Sequence, residues 1–297
     1  IIGNEMYVIN GSIDDPQPKK EKRYHLVVLA KNHTGYKNLV KLTTISHLNG
    51  MRGRGIFSRP CIDKFLLNKY KEGLIVSTAC LGGEIPQAIL KGRLDIAEDT
   101  ALWYKKLFSD DFYLEIQDHG SIEDRIVNVE LLKIGKKHNI KVIATNDAHY
   151  LSSMDVESHD ALLCILTGKL ISDEKRLRYT GTEYIKSENE MLELFKDHVD
   201  DESIKEAVNN TVEISQKIEV FDLFGKYRMP KFPLNQDKDS FSLLTNLSNE
   251  GLLKRLRKKD LTEVDEIYKK RLSSELQIIK DMGFPDYFLV VWDYIKF

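Results

Sequence analysis

The sequence predicts an α/β protein whose first half alternates strands with helices and whose second half is mainly helical. Short β-branched apolar runs alternate with stretches of helical periodicity up to Tyr150, and beyond it the strand patterns nearly vanish. The run 141–145 also leads into Asp147 and His149. Because α/β enzymes carry reactive side chains where strands end, this arrangement predicts a chemical site at one edge of a sheet.

The elements of the first half follow from the spacing of apolar residues. Continuous apolar runs predict strands over 25–30, 73–80, 112–117 and 141–145. Helical periodicity between them predicts helices over 35–48, 84–90, 94–108 and 122–138. Such a βα series predicts a mostly parallel sheet or barrel whose strand ends share one face.

The second half is predicted to be helical, with a linker inside it. The predicted helices cover 156–166, 188–195, 205–217, 241–258 and 264–282, and Ser187 to Glu190 has the pattern of a capping box. Pro230, Pro233 and the polar stretch after them indicate a linker. We therefore expect domains at 1–225 and 241–297, joined by a linker at 226–240.

Composition narrows the class of protein. The chain has 297 residues, of which 42% are hydrophobic and 30% charged, as is typical of a globular protein. The apolar run 288–292 is far shorter than the roughly 20 residues that cross a bilayer, so no membrane partner is expected. The three cysteines form no CxxC pair, which argues against a disulfide framework or a classical zinc finger. A cytoplasmic location is the expectation.

Charge is more informative in its distribution than in its sum. The formal net charge of −2 gives no overall attraction to nucleic acid. Basic residues nevertheless cluster near the C-terminus, at 269–271 and at Lys254, Arg255, Arg257, Lys258 and Lys259. Such a cluster is either a solvated helix face or a surface that contacts nucleic-acid phosphates.

Five residues are candidate metal ligands. Asp147 and His149, two residues apart on a backbone expected to be extended, should point the same way as ligands or as an acid/base pair, although Asn-Asp is also ordinary turn chemistry. Cys80 follows a strand, where simple packing is the alternative, and His25 alone would be a structural histidine. Together with Glu5, the set offers nitrogen, oxygen and sulfur donors, which suit zinc or a cluster of zinc, manganese or iron.

Longer motifs carry a resemblance to a known family. The runs 25–39, 72–86, 112–120 and 144–150 resemble the PHP (polymerase and histidinol phosphatase) domain of bacterial replicative DNA polymerase III alpha subunits, the C-family DNA polymerases. The runs 226–233 and 282–295 resemble the entry into the palm of those polymerases. The resemblance spans nearly the whole chain, with its motifs in the same order.

The resemblance implies a fold and a metal site. It implies a distorted (βα) barrel of the PHP type followed by a helical region that leads into the palm and thumb. Several divalent metals (zinc, manganese or iron) would lie at the strand ends, held by the family positions that match Glu5, His25, Cys80, Asp147 and His149. His119 lies in a family motif and is expected to line the site.

The resemblance also implies an activity and partners. The family carries out template-directed DNA synthesis with magnesium, as a nucleotidyltransferase, on primer–template DNA and deoxynucleoside triphosphates. Its PHP metals are expected to support 3′ to 5′ exonuclease proofreading, and a sliding clamp and a proofreading subunit are expected partners. The family's opening His-x-His strand and palm aspartates have no match here, so we expect an N-terminally truncated barrel and no polymerisation by this chain alone.

Two other functions remain open from the sequence. A stand-alone PHP-type metal-dependent phosphoesterase would share the metal site but would leave the helical region after the linker unexplained. A catalytically silent PHP scaffold would be expected to lose ligand side chains, whereas the five matching positions keep theirs.

Overall fold

The computed structural model describes residues 1–16, 21–225, 229–234 and 239–297. These residues form two compact units, Ile1–Asp222 and Leu223–Phe297. Of the predicted linker 226–240, positions 226–228 and 235–238 lie outside the described residues. The domain limits inferred from composition stay a prediction.

The first unit is built on a seven-stranded sheet. The strand order is β3-β4-β1-β2-β5-β6-β7, and helices precede or follow most of the strands. The strands are β1 (Gly3–Ile9), β2 (Tyr24–Ala30), β3 (Met51–Arg52), β4 (Arg59–Asp63), β5 (Leu74–Ser77), β6 (Phe112–Ile116) and β7 (Val142–Ala144). The helices are α1 (His33–Leu48), α2 (Lys64–Lys69), α3 (Glu84–Leu90), α4 (Leu94–Phe108), α5 (Ile122–His138), α6 (Val156–Thr167), α7 (Glu188–Phe195) and α8 (Asp201–Lys217).

The α/β class is confirmed, but the sheet is mixed rather than mostly parallel. β4 with β1, β5 with β6, and β6 with β7 are parallel, whereas β1 with β2, β2 with β5, and β3 with β4 are antiparallel. β1 and β2 follow each other in the chain and pair directly, which favours the antiparallel arrangement. Among the described residues, no ladder joins the short end strands β3 and β7 to close a complete barrel.

Both faces of the sheet are covered, as the alternation of buried side chains shows. Phe112, Leu114 and Ile116 of β6 belong to the main core, together with residues of α1, α4 and α5. Tyr113, between them, points to the other face and packs with Ile214 of α8. Because successive strand residues face opposite ways, a strand buried on both sides reads as a continuous apolar run. This is why 112–117 was predicted as a strand.

Local capping explains where several helices begin. The Asn32 side chain accepts a hydrogen bond from Gly35 N at the start of α1. Ser121 and Asp124 form a capping box at the start of α5, and the capping box predicted for Ser187 and Glu190 is confirmed at α7. Each cap satisfies backbone N–H groups that have no partner within the helix.

The second unit consists of α9 (Ser240–Leu256), α10 (Glu266–Asp281) and α11 (Pro285–Lys296). The three helices pack through Leu244, Leu276 and Leu289, one from each helix. Proline at the first position of α11 leaves no helical hydrogen bond broken, because that N–H would lack a partner anyway. Within the described residues, no helix is both long enough and apolar enough to cross a bilayer.

Some elements were not predicted. The sequence analysis proposed no element for β1, β3, β4, α2 or α11. β4 contains Arg59, Pro60 and Asp63, which are poor strand formers, and it is held by pairing with β1. Tertiary pairing here overrides local propensity.

Gly35→Ala should destabilise the first unit by about 1–3 kcal/mol, because an added Cβ would lie 1.7 Å from the carbonyl oxygen of Gly73. Gly251→Ala is the matched control, since a Cβ there meets no atom within 4 Å. The control should stabilise its helix by roughly 0.5–1 kcal/mol. Urea denaturation of both variants measures the difference, and equal effects would contradict the close approach of α1 to the start of β5.

Candidate metal centre

The register of the first two strands brings Glu5 and His25 together. Glu5 pairs with Val27 and Tyr7 pairs with His25, so Glu5 and His25 are diagonal neighbours on the same face of the sheet. The Nδ1 atom of His25 lies 2.7 Å from Oε1 of Glu5, and the Tyr7 ring meets the imidazole edge to face. The hydrogen bond with His25 lowers the pKa of the Glu5 carboxyl.

Cys80 reaches the same point from the loop after β5. Its Sγ atom lies 3.3 Å from Nδ1 of His25, and the Gly82 N–H donates to it at 3.4 Å. The loop is fixed to β2 by a hydrogen bond from His25 N to Gly82 O of 3.0 Å. One potential ligand atom from each of Glu5, His25 and Cys80 lies within 4.8 Å of the others. These three donors can therefore share one metal ion.

Asp147 and His149 lie in the loop after β7, but their geometry differs from the prediction. Asp147 has φ of +47°, so the backbone is not extended and the simple alternation argument was wrong. The positive φ of Asp147 fits the alternative of a turn, since Asp tolerates this conformation. His149 Nδ1 lies 2.7 Å from the Asp147 carbonyl oxygen. This contact makes Nδ1 the protonated nitrogen and leaves Nε2 as the ligand atom, which accepts from the Tyr179 hydroxyl at 2.9 Å.

The Asp147 carboxyl is affected by the charges of several candidate site residues. Burial raises the pKa of this carboxyl, while the charge of His149 lowers it. The charge of Glu5 also raises this pKa, and the charges of His119 and His25 lower it. Of the five candidate ligands, only Glu5, His25 and Cys80 have ligand atoms within 4.8 Å of one another among the described residues.

His119 meets a further test of fit for a metal. Its backbone N–H donates to Asp124 at 3.0 Å, and its Nδ1 atom lies 3.1 Å from Thr182 Oγ1. Its Nε2 atom is buried and has no hydrogen-bond partner within the described part of the chain. When Nδ1 carries the proton, the buried Nε2 has a free lone pair, which is what a metal ligand provides. The residues therefore fit a divalent metal with mixed nitrogen, oxygen and sulfur donors.

Residues that support the site were missed by the sequence analysis. Glu183 accepts hydrogen bonds from Thr180 and Gly181, and its carbonyl oxygen accepts from the His149 N–H at 2.8 Å. Although burial opposes ionisation, the hydrogen bonds from Thr180 lower the pKa of Glu183 to about 2. Tyr179 and Glu183 lie in a loop without periodicity, so no pattern in the sequence indicated them.

The described residues contain a second group of side chains of the types that bind metals. Asp118, Asp197 and His198 lie together. Both ring nitrogens of His198 are engaged, Nδ1 with Asp197 at 2.6 Å and Nε2 with Asn128 at 3.1 Å. We interpret this group as a hydrogen-bonded support between the loop after β6 and the start of α8.

The predicted nucleic-acid contacts lie in the second unit. Lys254 and Arg255 occupy the last turn of α9, and Arg257 ends that helix in a left-handed conformation. The five predicted contact residues are all exposed, namely Lys254, Arg255, Arg257, Lys258 and Lys259. Among the described residues, their side chains form no ion pair. By contrast, Lys269 pairs with Glu266 and Arg271 with Glu275.

Two family models match this chain, one in its N-terminal part and one in its C-terminal part. Residues 1–119 match the PHP domain family, and residues 242–297 match the family described as bacterial DNA polymerase III alpha NTPase domain. The whole chain is 42% identical to the DNA polymerase III subunit alpha of Borreliella burgdorferi, 37% to that of Campylobacter jejuni and 34% to that of Thermus aquaticus. It spans 25%, 26% and 28% of those relatives, respectively.

His25 should make the free energy of unfolding depend on pH. The hydrogen bond with Cys80 and that with Glu5 raise the pKa of His25 to about 11, from an ordinary value of 6.5. After the metal is removed by chelation, the free energy of unfolding of the wild-type protein should exceed that of His25→Gln. This gap should be largest below pH 6.5. The gap should narrow as pH rises toward 11, because protonated His25 is favoured only in the folded state. Denaturant titrations between pH 6 and 9 measure it.

His47→Gln is the control, since His47 is an exposed histidine at the end of α1. A gap for His25→Gln that changes with pH no more than the gap for His47→Gln would contradict the stabilising contact with Glu5 and Cys80.

Proposed function

We propose that this chain, which spans about a quarter of the length of the relatives it matches, belongs to the family of bacterial DNA polymerase III alpha subunits and forms part of a cytoplasmic replicative DNA polymerase. The whole protein would be a nucleotidyltransferase that copies a DNA template, with primer–template DNA and deoxynucleoside triphosphates as substrates and magnesium at its polymerase site. A sliding clamp and a proofreading subunit are the proposed protein partners.

We further propose that the first unit contains a metal-dependent phosphoesterase centre, which supports 3′ to 5′ proofreading. The observation that carries this proposal is the convergence of Glu5, His25 and Cys80 from three segments to within 4.8 Å. Asp147 and His149 would complete the ligand set, and His119 would contribute from the edge. The mixture of donors favours zinc, with manganese and iron as the other candidates.

The residues of the centre would divide the work by their chemistry. Divalent metals, when bound, supply positive charge that stabilises the charge developing on a phosphoryl group. Glu5 and Asp147 provide carboxylates, while His25 and His149 bind through a neutral ring nitrogen. The contact between His149 Nδ1 and the Asp147 carbonyl oxygen holds the correct tautomer for binding through Nε2.

The alternatives fit the chain less well. A stand-alone small-molecule phosphoesterase would not need the second unit, which matches a polymerase-specific family over 242–297. A catalytically silent scaffold would have no need for a buried, unpaired Nε2 on His119. Both observations favour a metal-binding unit within a polymerase.

Metal content tests the proposed centre. A double variant, Asp147→Asn with His149→Ala, should lose most of the zinc or manganese that the wild-type chain retains after dialysis, because two ligands are removed. Asp99→Asn with His47→Ala is the matched control, since both side chains lie on helices away from the centre. Elemental analysis measures the metal, and circular dichroism checks the fold.

Equal metal content in the two double variants would contradict the assignment of Asp147 and His149. Wild-type protein that retains no metal after incubation with zinc, manganese and iron would contradict the centre as a whole.

The basic segment is proposed to contact the DNA backbone. Replacing Lys254, Arg255, Arg257, Lys258 and Lys259 with glutamine should weaken binding of duplex DNA regardless of its sequence. The slope of log affinity against log salt should fall by up to about 4.5, at roughly 0.9 for each phosphate that is no longer neutralised. Fluorescence anisotropy at several salt concentrations measures both quantities.

The control removes the same charge from the first unit, at exposed lysines of α1, α4, α5, α8 and the turn before β5 (Lys37, Lys106, Lys136, Lys205 and Lys71). If both sets change the slope equally, the basic segment is only a solvated surface.

A further inference from the structure

A buried carboxylate lies between the loops that carry Cys80 and Asp147. Glu115 is in β6, and its exposed fraction is 5%. β6 is flanked by β5 and β7, whose following loops contain the two ligands. Glu115 is not a candidate ligand, since all its contacts are with protein groups of the sheet and of these loops.

Four donors converge on the two oxygens of this carboxylate. Oε2 accepts from Ser77 Oγ at 2.5 Å and from Ala79 N at 3.1 Å. Oε1 accepts from Gln117 Nε2 at 3.0 Å and from Thr145 Oγ1 at 2.5 Å. One side chain thus connects the residue before Cys80 with the residue that opens the Asp147 loop.

The backbone of Glu115 adds a fifth connection. Its N–H donates to Thr78 Oγ1 at 2.8 Å, so the side chain of Thr78 is held as well as those of Ser77 and Thr145. The three residues 77–79 that lead into Cys80 are therefore each bound to Glu115.

Stability alone does not explain a carboxylate at this position. Burying a carboxylate is costly, and among the described residues no lysine, arginine or histidine forms an ion pair with Glu115. Its neighbours on β6, Leu114 and Ile116, are apolar core residues. What the carboxylate supplies is a set of acceptors aimed at two loops.

Both loops contain backbone that needs such support. Ala79 has φ of +56° and Asp147 has φ of +47°, a conformation that residues with side chains adopt rarely. Such residues persist only where their surroundings fix them. Glu115 binds the Ala79 N–H directly, and it binds Thr145 two residues before Asp147.

We propose that Glu115 is a positioning residue, which fixes the loops of Cys80 and Asp147 at the separation that a shared metal centre requires. The proposal rests on the proposed metal-binding function of these loops. Outer partners of metal ligands typically change affinity by about 10–100-fold when they are removed. An effect of that size is expected although Glu115 itself does not touch the metal.

Glu115→Gln tests the proposal with almost no change of shape. The amide nitrogen that replaces one oxygen cannot accept a hydrogen bond, so at least one loop loses a hydrogen bond. Thr145→Val is a milder second variant, because it removes one donor and keeps the carboxylate. Asp63→Asn is the matched control: Asp63 is a carboxylate with an exposed fraction of 4% that accepts from Ile13 N and Leu66 N, away from both loops.

Two measurements separate positioning from general stability. After chelation, amide hydrogen exchange at 78–82 and 145–149 should be at least about tenfold faster in Glu115→Gln than in wild type, and only 145–149 should change in Thr145→Val. The zinc dissociation constant should rise about 10–100-fold in Glu115→Gln and stay within about twofold in Asp63→Asn.

The outcomes are distinguishable. Exchange at both loops that matches the Asp63→Asn control would overturn the positioning role. Faster exchange with an unchanged zinc dissociation constant would also overturn it, because the loops would then not control the centre. A wild-type protein that binds no metal would refute the proposed metal-binding function, on which the positioning role rests, and would overturn both.

Discussion

The antiparallel register of β1, β2 and β5 is the constraint on which the candidate metal centre depends. Pairing of Glu5 with Val27 and of Val27 with Ser77 brings β1, the start of β2 and the end of β5 to one edge of the sheet. A slip of one residue would turn Glu5 to the opposite face. The ligands from β1 and β2 are therefore specified by backbone pairing, which the buried residues Met6, Leu26 and Val76 hold in place.

The remaining ligands are held in a different way, by loops rather than by strands. Cys80 and Asp147 follow strands that end at the same edge, yet each lies in or next to a backbone conformation that is unfavourable in isolation. Hydrogen bonds to buried side chains offset this cost, as with Glu115, whose carboxylate accepts from the Ala79 N–H. The site thus combines a rigid half set by the sheet with a half that depends on polar contacts, and the second half is the more sensitive to substitution.

The elements of the fold and the residues of the candidate site differ in how well the sequence predicts them. Helices 84–90, 94–108 and 122–138 were predicted with their observed bounds, because long apolar periodicity is a strong signal. β4 and the mixed strand directions were missed, since they arise from pairing with β1 and not from local pattern. Strand ends and the family resemblance indicated the candidate ligands, which stay a prediction. Glu115, Tyr179 and Glu183 could not, because their roles consist only of contacts across distant parts of the chain.

Two histidines of the first unit, His119 and His198, differ in whether a ring nitrogen is left without a partner among the described residues. His198 and His119 both lie near acidic side chains and both are largely buried. Both ring nitrogens of His198 are paired, so its contribution ends with the hydrogen bonds that it makes. His119 is anchored through Nδ1, while its Nε2 is buried and unpaired among the described residues. Leaving that nitrogen unpaired costs about 1–3 kcal/mol, which a folded protein recovers only if the nitrogen binds something. Because the charge of His119 also acts on the Asp147 carboxyl, we propose the metal centre as the partner of this nitrogen.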